Sequence, residues 1–422
     1  MRVSPRLSLA SCSLLAVLAQ GCGGTGAEEP AGAAGMSAAA GSGASGGSGG
    51  SGGSAGSGMA GMPYVPPTCL DSQASPGRVT RPNPLVSRNA RATASEGVLN
   101  PESATDGKYH DGGGVVFGLP TPDAPAWVAI ELEGSYTRLL LTYADANYQN
   151  YTSLDYTPLS YRIETSSDST NGEDGHFDEV VSVDDNPVRT REHAFDFDGQ
   201  HWVRFVVTGA HDGSPAVRLD ELALYDVSDA GPSGPEDTWF FLGDSITAGA
   251  FQRTFGAKDF DAVVAAAEPG FTPAFLNGGI GGELATGGIA RIDQVLELNP
   301  DITHVVIAYG TNDSWGDQNA ASVGFEASMN TLVDKVEAAG KVPLLARIPY
   351  STTAHGTLPS FNDIIDRITA ERALPCGADL YGFFLANTVE LSNDGVHPAN
   401  PGYADMNRVW GEAVLPLYPG KE

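Results

Sequence analysis

The chain has 422 residues, 41% hydrophobic and 18% charged, with 53 glycines. This is a globular composition, long enough for two domains that each bury a core without staples. With 23 Lys and Arg against 52 Asp and Glu the formal charge is −29, which argues against non-specific binding to phosphate backbones or anionic bilayers. Past residue 22 no run of about 18 apolar residues occurs, which excludes a polytopic helical membrane protein.

Arg2 and Arg6 precede a mostly apolar stretch, Leu7 to Leu18, followed by Ala19-Gln20-Gly21-Cys22. Residues 1–22 read as an export signal. The small residue before Cys22 resembles a bacterial lipoprotein signal, in which Cys22 is lipidated and becomes the mature N-terminus. The expectation is an exported lipoprotein anchored at the cell envelope, or otherwise a secreted protein. Residues 23–67 are dominated by Gly, Ser and Ala; such a segment buries too little surface to fold. A coil of about 40 such residues spans roughly 35 Å, a suitable tether. Gly43-Ala44-Ser45-Gly46-Gly47 satisfies the G-x-S-x-G pattern inside this tether, without the strand and helix that would give it meaning. Of four cysteines, Cys69 and Cys376 remain after the signal, as a disulfide or as two thiols.

Residues 68–228 read as all-β. Val128, Ile130 and Leu132 alternate with Ala129, Glu131 and Glu133. Tyr161 and Ile163, then Val203, Phe205 and Val207, repeat that period of two, and Leu222 and Leu224 end it. Such runs between Gly/Asp/Asn/Pro clusters predict antiparallel strands of a sandwich. The segments Asn89 to Ser95, Ala104-Thr105-Asp106-Gly107, Trp127 to Leu132 and Leu219 to Tyr225 resemble, in order and spacing, the galactose-binding-like jelly rolls (discoidin or coagulation-factor C-type). The resemblance implies a structural calcium held by Asp106 and Glu221, and sugar binding through loop aromatics. Tyr148, Tyr151 and Tyr156 are the candidate platform, with core packing as the alternative.

A Pro/Gly-rich linker, 229–237, leads to a second domain at 238–420 with a different rhythm. Buried strands are predicted at Trp239 to Leu242, His304 to Tyr309 and Val342 to Ile348. Met329, Leu332, Val333 and Val336, and again Phe361, Ile364, Ile365 and Ile368, fall at helical spacing. The alternation predicts a parallel sheet between two helical layers, with ligands at the carboxyl ends of the strands. Four polar blocks stand at or between those ends: Gly243-Asp244-Ser245, Asn277 to Gly282, Gly310-Thr311-Asn312-Asp313, and Asp394-Gly395-Val396-His397. A serine needs a base to become a nucleophile; His397 is the candidate base and Asp394 its orienting carboxylate.

This ordered set resembles the SGNH (GDSL-type) hydrolases, whose α/β/α fold is expected here. The resemblance implies an oxyanion hole from the N–H of Ser245, the N–H of Gly282 and the side-chain amide of Asn312, with Gly279 and Gly281 left open as alternatives to Gly282. It implies no cofactor for catalysis. His304 and His355 are expected to be structural. Thr247 breaks any G-x-S-x-G elbow at the nucleophile, and no H-E-x-x-H or Cys/His cluster points to a metal hydrolase.

The expected function is therefore an exported serine esterase that removes acyl groups, acetyl among them, from carbohydrate. The expected partner is the acylated carbohydrate. The membrane is met only through the lipid, nucleic acid is not met, and the protein is a monomer. The alternatives are a lipolytic esterase, lysophospholipase or thioesterase of the same fold, and a glycan-binding surface lipoprotein with a non-catalytic hydrolase domain.

Overall fold

The computed structural model describes residues 76–108, 114–145, 154–231, 234–251, 259–315, 318–353 and 356–420. Cys22, Cys69, Tyr148, Tyr151 and His355 lie outside them. Residues Pro63–Glu422 form one compact unit. No helix among the described residues is long and apolar enough to cross a membrane.

Nine strands come first: β1 (Ala92–Ala94), β2 (Val115–Gly118), β3 (Ala126–Glu131), β4 (Arg138–Asp145), β5 (Pro158–Ser166), β6 (Asp178–Val183), β7 (Arg191–Asp196), β8 (Trp202–Ala210) and β9 (Val217–Asp226). They form two antiparallel sheets, ordered β1-β3-β8-β5-β6 and β2-β9-β4-β7. Val128 and Ile130 of β3, Ile163 of β5 and Phe205 of β8 share one apolar core with Leu139 and Leu141 of β4 and Leu224 of β9. The two sheets thus bury a common core, an arrangement compatible with a β-sandwich.

The chain then alternates: β10 (Thr238–Gly243), α1 (Ser245–Ala250), α2 (Phe260–Ala267), β11 (Ala274–Gly279), α3 (Ala285–Leu298), β12 (His304–Ala308), α4 (Gln318–Ala338), β13 (Val342–Leu345), α5 (Leu358–Glu371), α6 (Leu380–Ala386) and α7 (Asn400–Val414). The four strands are parallel, in the order β11-β10-β12-β13. All six residues of β10 are buried, as a strand covered on both faces requires. Phe240 and Leu242 point to a core with α3, α4 and α5. Trp239 and Phe241 point the other way, to a core with α1, α2, α6 and α7. This is the expected α/β/α layering. The predicted third strand is shorter than expected: it ends at Leu345, because Arg347 and Ile348 turn their N–H groups to Ala378 and to the Asn362 side chain.

The antiparallel and parallel parts share structure. Leu139 and Leu141 face the inner core of their own sheets, whereas Leu140, with Ala223, Tyr225 and Val227, packs on Ala274 of the edge strand β11. That double burial is why β4 carries three consecutive leucines. Asn299 Oδ1 accepts the Glu192 N–H (3.0 Å), and Glu192 Oε1 accepts the Asp301 N–H (2.7 Å). The lead-in segment joins both parts: Val79 N–H donates to Leu417 O (3.0 Å) and Val86 N–H to Leu224 O (2.8 Å).

Candidate active site

The site is assembled at the carboxyl end of the parallel sheet. β10 delivers Gly243, then Asp244, whose carboxylate caps α1 by accepting the Ile246 N–H at 2.9 Å. Ser245 is the first residue of α1. The helix seats tightly because glycines lie beneath it. A Cβ on Gly243 would stand 2.2 Å from Thr247 Oγ1, and one on Gly279 would stand 2.2 Å from the backbone N of Ala248. Burial pushes the Asp244 carboxyl up to about 7, against the opposing pull of the Ile246 N–H and of His397.

His397 arrives from the other end of the domain, in the turn before α7. Its Nε2 lies 2.8 Å from Ser245 Oγ and its Nδ1 lies 2.7 Å from Asp394 Oδ2. A carboxylate only accepts, so Nδ1 carries the proton and Nε2 is left to accept from the serine hydroxyl. Asp394 Oδ1 gathers the N–H groups of Val396 (2.8 Å) and His397 (2.9 Å) and the Ser392 hydroxyl (2.7 Å). Partial burial works to raise the Asp394 carboxyl, but the His397 ring and these donors outweigh it and hold the group well below the usual carboxylate range. The turn is braced from outside, since Gly395 O accepts from Ser351 Oγ (2.7 Å) and Thr352 N–H (2.9 Å). The His397 and Asp394 side chains are 40% and 50% exposed, so the dyad faces solvent on one side.

Three further loop contacts bring in the remaining candidates. Ile280 N–H donates to Gly243 O (3.0 Å), tying the glycine-rich loop to the end of β10. Asn312 Nδ2 donates to Glu283 O (3.0 Å), and Asp313 accepts the Ala285 N–H (3.1 Å). The N–H of Gly279 is taken by Asn277 Oδ1 at 3.0 Å, which leaves Gly281 and Gly282 as the loop's candidate donors. Gly282 has φ +74, and no atom lies within 4 Å of where its Cβ would be: it borders open space. Gly310, before Asn312, has φ +129 and abuts Ile348.

The structure therefore brings Ser245, Asp394 and His397 into hydrogen-bonded sequence, and links the loops of Gly282 and Asn312 to each other. The sequence marks Asp244 only as part of the Gly243-Asp244-Ser245 block, without a role of its own, and does not mark Glu283, Arg291 or Tyr309. Glu283, Arg291 and Tyr309 meet only through folding, and nothing in their spacing announces it.

The other candidates sit apart. Asp106 accepts from Lys108 N–H (2.9 Å) and pairs with its ammonium (3.2 Å), while Glu221 Oε2 accepts the Gly107 N–H (2.8 Å). Arg88 Nε is 4.0 Å from Glu221 Oε1, and the Arg88 guanidinium fills the space where a Gly107 Cβ would be. A cation already faces Glu221, and among the described residues no group of three or more His, Cys, Asp or Glu side chains gathers to hold a metal. Tyr156 is half-buried. His304 stacks on Trp239, with centroids 4.1 Å apart, and bonds Gly77 O through Nε2 (2.8 Å); burial pushes its ring down to about 4. It works as an internal strut for the lead-in segment. Cys376 is disulfide-bonded, and its partner lies outside the described residues.

Residues 241–404 match the model of the family described as GDSL-like Lipase/Acylhydrolase, which supports a hydrolase domain of GDSL type, esterase-like at family level, in the C-terminal part of the chain. The chain is also similar in fold to a lipase/acylhydrolase from Enterococcus faecalis, at 22% identity and TM-score 0.38 over 44% of this chain and 99% of that one. It is similar to Axe2, an acetylxylan esterase from Geobacillus stearothermophilus, at 21% identity and TM-score 0.36 over 42% and 94%. The corresponding values for TesA are 22%, 0.36, 43% and 99%. No curated protein matches the sequence.

Proposed function

We propose that this protein is an exported, lipid-anchored serine esterase that removes acyl groups, acetyl among them, from carbohydrate. The observation that carries the chemistry is the Ser245–His397–Asp394 chain, at 2.8 Å and 2.7 Å. In this reading Ser245 Oγ attacks the acyl carbonyl while His397 Nε2 takes its proton. The N–H groups of Ser245 and Gly282 and the amide of Asn312 receive the charge on the carbonyl oxygen. His397 then returns the proton to the departing sugar oxygen, and a water activated by the same imidazole releases the acyl group. Asp394 keeps the imidazole in the required tautomer.

The carbohydrate rests on the proposed jelly-roll character of residues 68–228, and the anchoring on Cys22. The test is Ser245→Ala assayed with p-nitrophenyl acetate, then acetate release from a panel of acetylated polysaccharides. Retained hydrolysis by the variant ends the serine assignment; no acetate from any polysaccharide ends the carbohydrate one. One observation favours the lipolytic alternative. Leu284 and Trp315, beside Gly282 and Asn312 in the chain, are 44% and 57% exposed, an apolar rim suited to longer acyl chains. A rate maximum at acyl chains of eight or more carbons supports that alternative over acetyl removal.

A further inference from the structure

We propose that Glu283, gripped by Arg291 and Tyr309, is a positioning residue that holds the Gly282 and Asn312 donors in register for the oxyanion. The inference rests on the serine-esterase reading above.

Glu283 immediately follows Gly282, and it is used twice. Its backbone carbonyl accepts one N–H of the Asn312 amide at 3.0 Å. An amide nitrogen carries two N–H bonds in a fixed plane, so engaging one directs the other. Its carboxylate accepts from Arg291 Nε at 3.0 Å and from Arg291 Nη2 at 2.7 Å, and also from the Tyr309 hydroxyl. Arg291 Nη2 reaches Gly278 O (2.6 Å) and the Tyr309 oxygen (3.1 Å) as well.

The cluster therefore spans four supports: the end of β11 through Gly278, the helix α3 through Arg291, the segment after β12 through Tyr309, and the loop between β11 and α3. The Arg291 and Glu283 side chains are only 11% and 10% exposed, so solvent screens the pair weakly. The helix makes room for it. A Cβ on Gly287 would stand 2.6 Å from Glu283 Cγ, and one on Gly288 2.7 Å from the Tyr309 ring. Two adjacent glycines near the start of α3, unfavourable for a helix by propensity, thus seat the two side chains that meet Arg291. These groups act on the donors through the backbone.

The test compares the parent protein with Glu283→Gln, with the charge-neutral pair Glu283→Gln/Arg291→Gln, and with Tyr309→Phe, which removes one hydroxyl. Each is assayed for p-nitrophenyl acetate kinetics and for inhibition by phenylboronic acid, whose tetrahedral adduct on the serine needs the oxyanion donors. The expected result for at least the Glu283→Gln variants is a fall in kcat of about 10- to 100-fold, with KM within about two-fold and the boronate inhibition constant rising in parallel. Folded variants whose boronate affinity stays at the parent value overturn the proposal, even if kcat or the melting temperature falls. So does a rise in KM alone. Should Glu283→Gln not fold, the neutral pair and Tyr309→Phe decide by the same criterion. Parent protein without Ser245-dependent turnover sinks the esterase reading itself, a result distinct from either outcome in the variants.

Discussion

Ser245 owes its placement to residues that do no chemistry. Gly243 and Gly279 let α1 settle on the strand ends, and Asp244 starts the helix there. This makes the glycines unequal under substitution. Gly282→Ala meets no neighbour and suffers only the left-handed backbone penalty, about 1–2 kcal/mol, so a folded protein with a slightly lower melting temperature is expected. Gly279→Ala drives a methyl group into the Ala248 backbone nitrogen, and thermal melts should register a much larger loss. Asn312→Ala removes one oxyanion donor and leaves Glu283 O without its amide. Under the proposed mechanism kcat should fall by about 10²–10³, with the fold retained by circular dichroism.

At the scale of elements, β10 is framed by a buried carboxyl. Asp237, just before it, accepts from Tyr418 (2.6 Å) and from the Trp239 indole (2.7 Å). Burial outweighs those donors and pushes its carboxyl from the ordinary 3.8 up to about 7. The folded state therefore holds a proton that the unfolded chain gives up. This stability is fully present below about pH 4 and is lost as pH rises through about 7, by on the order of 4 kcal/mol. Asp237→Asn should flatten that part of the dependence, measured as the difference in melting temperature between pH 5 and pH 8; an unchanged slope contradicts the assignment.

Elements also differ in how plainly they could be read. β3 and β8 were legible because one face meets the core and period-two alternation follows. β7 was not: Glu192 and His193 look like surface residues, yet Glu192 is buried against Asn299 and Asp301, and the half-buried His193 bonds the Tyr161 hydroxyl. β11 hides because its sequence ends in Asn-Gly-Gly, residues that ordinarily signal turns. α7 carries Gly402 and Gly411, which lower helix propensity but allow contact with Glu390 O and Val263. The four polar blocks could be read because each stands close to a strand end or in one tight turn. The Glu283 cluster could not, since its members converge only in three dimensions.

Over the whole molecule, the antiparallel and parallel sheets are tied by apolar contact at Ala274, by Asn299 and by the lead-in segment. Residues 76–420 should melt as one cooperative transition in calorimetry; two resolved transitions contradict this. Asn299 is fully buried and donates to Val295 O (2.8 Å) while accepting from Glu192. Asn299→Ala should cost about 1–3 kcal/mol and lower that single melting temperature without splitting it.

The nucleophile and its base stand 152 positions apart, and the later one precedes a terminal helix whose Asn407 and Trp410 rest on Ala250 and Phe251. A chain lacking the segment from Asp394 onward would hold the serine, the glycine loop and the asparagine, and still be inert. Under the proposed mechanism the serine is armed only once the segment bearing His397 has folded back onto α1, so the onset of ester cleavage reports that closure.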